Sequence, residues 1–176
     1  MELIEFNIRK YGSDPIMGVL LGEGVQWVVT KDNTVDYVLD GIRFSNKKYI
    51  INQHVIHNEI KSAIFPLKYT EWEKDMDTVS HLNLDDMQSF FLGLQHRTLI
   101  EVGLHDNSII YVGNVSNVLK KSFILSTIDV NANDSGSMLV NYDKVRYIKI
   151  DSDYLNALAL YTNYKTHTGT IPEVNL

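Results

Sequence analysis

Apolar and polar positions alternate along most of this chain, and the alternation breaks at short polar clusters. Over 99–104, Ile100, Val102 and Leu104 fall on one face and Leu99, Glu101 and Gly103 on the other, the period of a β-strand. Residues 105–108 interrupt it with short polar side chains of the kind that close turns on their own backbone. Strands are predicted over 109–118, 122–129, 137–142 and 144–150, with turns at Lys120-Lys121 and across 131–136. Gly113 lies mid-strand, where glycine marks a bend or a close backbone approach.

The first half reads the same way. Strands are predicted over 3–9, 16–21 (containing Gly18) and 25–30, with Trp27 as a core anchor. Two more, 35–39 and 42–44, flank Asp40-Gly41 as a hairpin, and 49–51 follows Lys47-Lys48. Helical spacing of Val55, Ile56, Ile60 and Ile64 predicts a short helix over 54–64, ended by Pro66. Residues 67–82 are polar and acidic and read as a linker or a poorly packed excursion. A helix over 84–96 follows Asn83 as N-cap, with Asp85 and Asp86 in its first turn and Leu84, Met87, Phe90, Phe91 and Leu94 on one face. A last helix is expected over 154–161, capped from Asp151-Ser152-Asp153, before a polar tail.

The halves repeat. Gly18 matches Gly113, Trp27-Val28-Val29 matches Phe123-Ile124-Leu125, and Lys48-Tyr49-Ile50 sits where Val145 to Ile148 sits later. Either two related small barrels are joined by helical material, or the chain forms one irregular mixed sheet.

Val102, Leu104, Asp106, Asn107, Gly113, Val115 and the run Phe123-Ile124-Leu125, with Val145, Ile148 and Ile150 in the last strand, resemble the pattern of the Sm-like fold over about fifty residues. The resemblance implies a mainly β protein of two five-stranded Sm-like or SH3-like small barrels. Their expected bounds are 1–66 and 83–162, with the linker 67–82 between them and the tail 163–176 after. It also implies RNA or nucleotide binding and ring formation through barrel edge strands. The residues that form the uridine pocket in RNA-binding Sm proteins are missing. Leu119 and Phe123 stand in place of its Asp and Asn, and Asp143-Lys144 in place of its Arg-Gly.

Charge shifts the balance between these functions. The net charge is −6. Residues 1–88 hold nine Lys or Arg against fourteen Asp or Glu, and residues 89–176 hold seven against eight. Nucleic-acid binders gain most of their affinity by neutralising phosphates with a basic face. An acidic chain suits a protein partner with a basic surface better. The chain has no cysteine, so disulfides, thiolate metal sites and cysteine catalysis are excluded. No signal-peptide pattern or membrane-length apolar run occurs, and a soluble cytoplasmic protein is the expectation.

Candidate chemistry is sparse. His54, His57 and Glu59 could share a helix face, but no third ligand is evident, and no metal or cofactor is expected. Asp129, Asn131, Asn133 and Asp134 alternate like a calcium loop, yet Gly136 is misplaced for one and a hairpin turn is preferred. Lys47-Lys48 and Lys120-Lys121 would form an anion-binding edge if they lie together. No G-x-S-x-G, P-loop or G-x-G-x-x-G is present, so no enzyme activity is expected. Tyr69, Glu71, Trp72, Glu73, Asp75 and Asp77 are the expected docking surface of a regulator, inhibitor or immunity-type neutraliser. The lysine pairs are the surface of the alternative RNA or nucleotide binder.

Overall fold

The computed structural model describes residues 1–12, 14–95, 97, 99–104 and 109–168. In chain order the elements are β1 (Leu3–Ile8), β2 (Ile16–Glu23), β3 (Trp27–Val35), β4 (Val38–Asn46), β5 (Ile50–Val55), α1 (Glu59–Lys68), α2 (Trp72–Ser80) and α3 (Met87–Leu94). Then come β6 (Ile100–Gly103), β7 (Ile110–Val118), β8 (Ser122–Ile128), β9 (Asp134–Asn141), β10 (Tyr147–Ile150) and α4 (Asp153–Thr168). The protein is mainly β, as the alternation predicted. Among the described residues the strands make a single antiparallel sheet in the order β5-β1-β2-β3-β4-β10-β6-β7-β8-β9. The expected pair of separate barrels is thus replaced by one sheet, whose two halves are hydrogen-bonded through β4 and β10.

The internal repeat is written into the register. Each half has the same strand order, its fifth strand lying outside its first. Gly18 pairs with Asp32 and Gly113 with Thr127, and the ladder slips at Leu20/Gly22 in one half and at Val115/Asn117 in the other. Asn46 and Asn141 each end a fourth strand and lead into a 3-10 turn, Lys47–Tyr49 or Tyr142–Lys144. All these pairs lie 95 positions apart. The structure therefore corrects two sequence matches: Val28, not Trp27, is the counterpart of Phe123, and Lys48 to Ile50 corresponds to Asp143 to Val145.

Both bends need glycine because backbone packs onto backbone. A Cβ on Gly18 would lie 2.6 Å from the Lys31 carbonyl oxygen, and one on Gly113 would overlap the Ser126 carbonyl oxygen.

The main core lies between one face of the sheet and helices α1–α3. The apolar face of α3 wedges between the halves. Phe90 packs on Trp27 (ring centroids 4.5 Å apart) and Phe44, while Phe91 stacks on Phe123 (4.1 Å) and Tyr142 (5.1 Å). Each fully buried aromatic removes enough apolar surface from water to contribute about 2–3 kcal/mol. Asp86, not the expected Asn83, caps α3, its carboxylate accepting the Ser89 N–H at 2.7 Å, while the Asn83 side chain accepts the Asp85 and Asp86 N–H groups in the turn before it. On the opposite face, Leu155 and Leu158 of α4 cover Leu99 and Val112, and a third cluster (Ile4, Phe6, Ile8, Val28) fills the inside of the first half.

Several local expectations change. The stretch 67–82, expected as a linker, holds the end of α1 and the helix α2, with Tyr69, Val79 and Leu82 buried in the core. Residues 54–55 belong to β5, and α1 starts after Asn58, whose side chain accepts the Lys61 N–H at 2.9 Å. Pro66 lies inside α1 and does not end it. Phe65 and Tyr69 anchor that last turn in the core, and the Tyr69 N–H still reaches the Phe65 carbonyl at 2.8 Å. The hairpin turns at Asp36-Tyr37, held by the Asn33 amide, while Asp40-Gly41 lies within β4. Helix α4 runs to Thr168 and takes in the start of the expected tail. The turn at 105–108, with Asp106 and Asn107, and the tail from 169 lie outside the described residues.

Candidate functional site

The six residues expected to form an acidic docking surface divide into two groups. Tyr69 and Asp75 are buried, at 6% and 2% exposure. The Asp75 carboxylate pairs with Lys31 Nζ at 2.9 Å and accepts the Tyr69 hydroxyl at 2.5 Å. Burial, then the hydrogen bond to Asp75, pushes the Tyr69 hydroxyl well above its ordinary pKa. Trp72 packs partly buried against the core, edge-on to Tyr69 at 5.6 Å. These three therefore hold α2 down and are not a free surface. Glu71, Glu73 and Asp77 are exposed, Glu71 facing Lys74 (3.7 Å) and Asp77 facing His81 (3.4 Å).

Beside them runs a groove of about 620 Å³ between α2, the β3–β4 hairpin and the start of α4. Its charged lining is Asp40, Glu71, Asp75, Asp151 and Asp153 against Lys31, Lys74 and Arg97, an excess of two negative charges. An adjoining hollow of about 360 Å³ shares Arg97, Asp151 and Asn156 and adds the apolar Leu99, Leu155 and Ala159. Arg97 pairs with Asp151 at 3.2 Å, and Asp40 accepts the Asp153 N–H at 2.8 Å, tying the hairpin to α4. Nothing in the sequence spacing links residues 40, 71 and 151; the sheet topology brings them together.

The lysine pairs partly converge. Lys47 turns to Glu23 at 2.5 Å. Lys48 Nζ and the Tyr49 hydroxyl both donate to the Asp143 carbonyl, on the turn that lines a hollow of about 470 Å³ with Lys120 and Lys121. Lys48, Lys120 and Lys121 are exposed there. Tyr142 in the same turn is buried, and burial, with a smaller push from Asp86, raises its hydroxyl to a pKa of about 12.

The other sequence candidates resolve as structure. His54 lies on β5, 3.4 Å from Glu5. The Asp129 carboxylate accepts the N–H groups of Asn131 and Asn133, both at 2.8 Å, and closes a turn held from the far side by Lys165.

One cluster was not foreseen. At the joint of the two halves, Asp32 Oδ2 accepts from Arg43 (2.9 Å) and Lys149 (3.1 Å), all three side chains being about nine-tenths buried or more. The Arg43 guanidinium lies 4.2 Å over the Tyr147 ring, a cation–π contact, while its Nε and Nη1 have no hydrogen-bond partner. The Tyr147 hydroxyl donates to Glu101 at 2.5 Å. Burial disfavours the Asp32 charge, but Arg43 and then Lys149 outweigh it and hold its carboxyl below the usual range. Asp32, Arg43 and Lys149 each stand inside a strand, but β3 also carries Lys31 and β4 also carries Asp40, so strand position alone did not single them out.

Among the described residues no helix is long and apolar enough to cross a membrane. No family model, curated protein or solved structure matches the chain.

Proposed function

We propose that the chain is a non-catalytic binding protein of two fused, degenerate Sm-like units, and that it regulates or neutralises a protein partner with a basic surface. The observation that carries the reading is the carboxylate-rich groove beside α2, lined by Asp40, Glu71, Asp75, Asp151 and Asp153, with Glu73 and Asp77 exposed elsewhere on the same helix. A lysine or arginine of the partner entering the groove meets an excess of negative charge. The Sm-like part rests on the repeated strand order and bend glycines.

A second reading, RNA or nucleotide binding, has its own support in the hollow shared by Lys120, Lys121 and the turn that Lys48 reaches. One set of variants separates the two. Capture from nuclease-treated lysate should yield a stoichiometric basic protein that is lost with Glu71→Lys, Glu73→Lys and Asp77→Lys together, and kept with Lys120→Glu and Lys121→Glu. Capture unaffected by the first set overturns the acidic site. Binding of a random RNA pool that falls with salt, and is lost only with the second set, establishes the alternative.

A further inference from the structure

We propose that the groove beside α2 binds an extended segment of the partner in which a lysine or arginine has an apolar side chain two residues before it and another two residues after it. The inference rests on the basic-partner reading above and names what that partner presents.

The groove is the middle one of three adjoining hollows. Towards the hairpin it shares Lys31, Val38, Leu39 and Glu71 with a hollow of about 230 Å³, which adds Tyr37 and Tyr69. Towards α4 it shares Arg97, Asp151 and Asn156 with the hollow of about 360 Å³ that holds Leu99, Leu155 and Ala159. The two end hollows have no lining residue in common, so the middle one lies between them.

The surplus charge belongs to the middle. Each cation of its lining is matched by a carboxylate there: Lys31 by Asp75 at 2.9 Å, Lys74 by Glu71 at 3.7 Å and Arg97 by Asp151 at 3.2 Å. Asp40 and Asp153 are left over, and both line the middle hollow and neither end. Asp40 meets Lys149 at 3.5 Å, a lysine already held at 3.1 Å by Asp32. Asp153 is exposed and has no ion pair among the described residues. A cation from outside is therefore drawn to Asp40 and Asp153.

The ends offer apolar surface instead. At the hairpin, Val38 is 46% and Tyr37 36% exposed, with Leu39 and Tyr69 backed by the main core. At α4, Leu99 and Leu155 belong to the small cluster under that helix. An extended chain turns every second side chain to one side, about 7 Å apart. One such segment sets three alternate side chains, apolar, cationic and apolar, into three successive hollows.

Fluorescence anisotropy with the full chain and three labelled pentapeptides tests this: Phe-Gly-Arg-Gly-Leu, Gly-Gly-Arg-Gly-Gly and Phe-Gly-Gln-Gly-Leu. The first should bind, and each of the others at least about tenfold more weakly, the loss expected when apolar contact or the charge is taken away. Asp153→Asn should weaken both arginine peptides. Val38→Ser and Ala159→Gln, at opposite ends, should each shrink the preference for the first peptide over the second. Equal binding of the first two peptides to the wild-type chain overturns the proposal and leaves the groove a site for charge alone. Absence of peptide binding at millimolar concentration overturns it too, even where capture from lysate still depends on Glu71, Glu73 and Asp77. Capture that ignores those three residues removes the basic-partner reading, and the proposal with it. A second copy in the groove, read as a light-scattering mass of two chains that Asp153→Asn returns to one, also overturns it.

Discussion

The joint inside the sheet and its two outer edges are built from matching positions, yet they differ in chemistry. At the joint, Arg43 lies opposite Lys149, and Asp32 next to them accepts from both. The corresponding outer positions are Met138, His54 and Thr127, which offer no buried ion network. Burying three charges is expensive, and an apolar joint of the same shape would be at least as stable. What the network adds is specificity. A one-residue slip of β10 along β4 would send Lys149 to the opposite face and strand Asp32 and Arg43. The internal joint is thus locked in register, while the matching positions on the outer edges carry no such ion network.

Removing the centre of the lock should have the largest effect. Asp32→Ala leaves Arg43 and Lys149 buried without a counter-charge and should lower unfolding free energy by about 3–5 kcal/mol in urea titration. Met138→Ala at the matching outer position should cost under about 1 kcal/mol in a monomeric sample. Equal losses would break the comparison. The same lock should weaken in acid. Asp32 has a lower pKa folded than unfolded, so its stabilisation is complete above its unfolded value of 3.8 and disappears as pH falls through the folded value. The unfolding free energy of Asp32→Asn should show a shallower acid decline than wild type.

The two bends come next. Gly113→Ala and Gly18→Ala each press a methyl group onto a carbonyl oxygen, and overpacking of this kind costs about 1–3 kcal/mol. Gly113 should be the more sensitive, since its overlap is the deeper. A thermal melt reads this as a drop of roughly 2–4 °C per kcal/mol for a chain of this size. The smallest effect belongs to the edge. Leu139→Lys, at a side chain 61% exposed, should change stability by less than about 0.5 kcal/mol in urea titration.

Period-two alternation made most of the strands legible, and the bend glycines and the 95-residue spacing made the repeat visible. The match of Trp27 with Phe123 shows where that reading stopped. In one antiparallel sheet, halves five strands apart run in opposite directions, so corresponding positions face opposite sides. Val28 therefore fills the small inner cluster, while its counterpart Phe123 lies in the main core. Large aromatics were matched by their chemistry, one position off their backbone register. The segment 67–82 was misread because its carboxylates masked a helix. Asp75 looks like a surface charge until Lys31, 44 positions earlier, is seen to neutralise it in the core.

Local chemistry along the chain was enough to determine most of the strand content, the bend glycines and the absence of thiol chemistry, because each depends on residue identity or on residues close in sequence. The joining of the halves into one sheet, the ion lock, the groove shared by residues 40, 71 and 151, and the meeting of Lys48 with the Lys120 turn were decided only by tertiary structure. Each depends on strand order and register, which place distant residues within a few ångströms of one another.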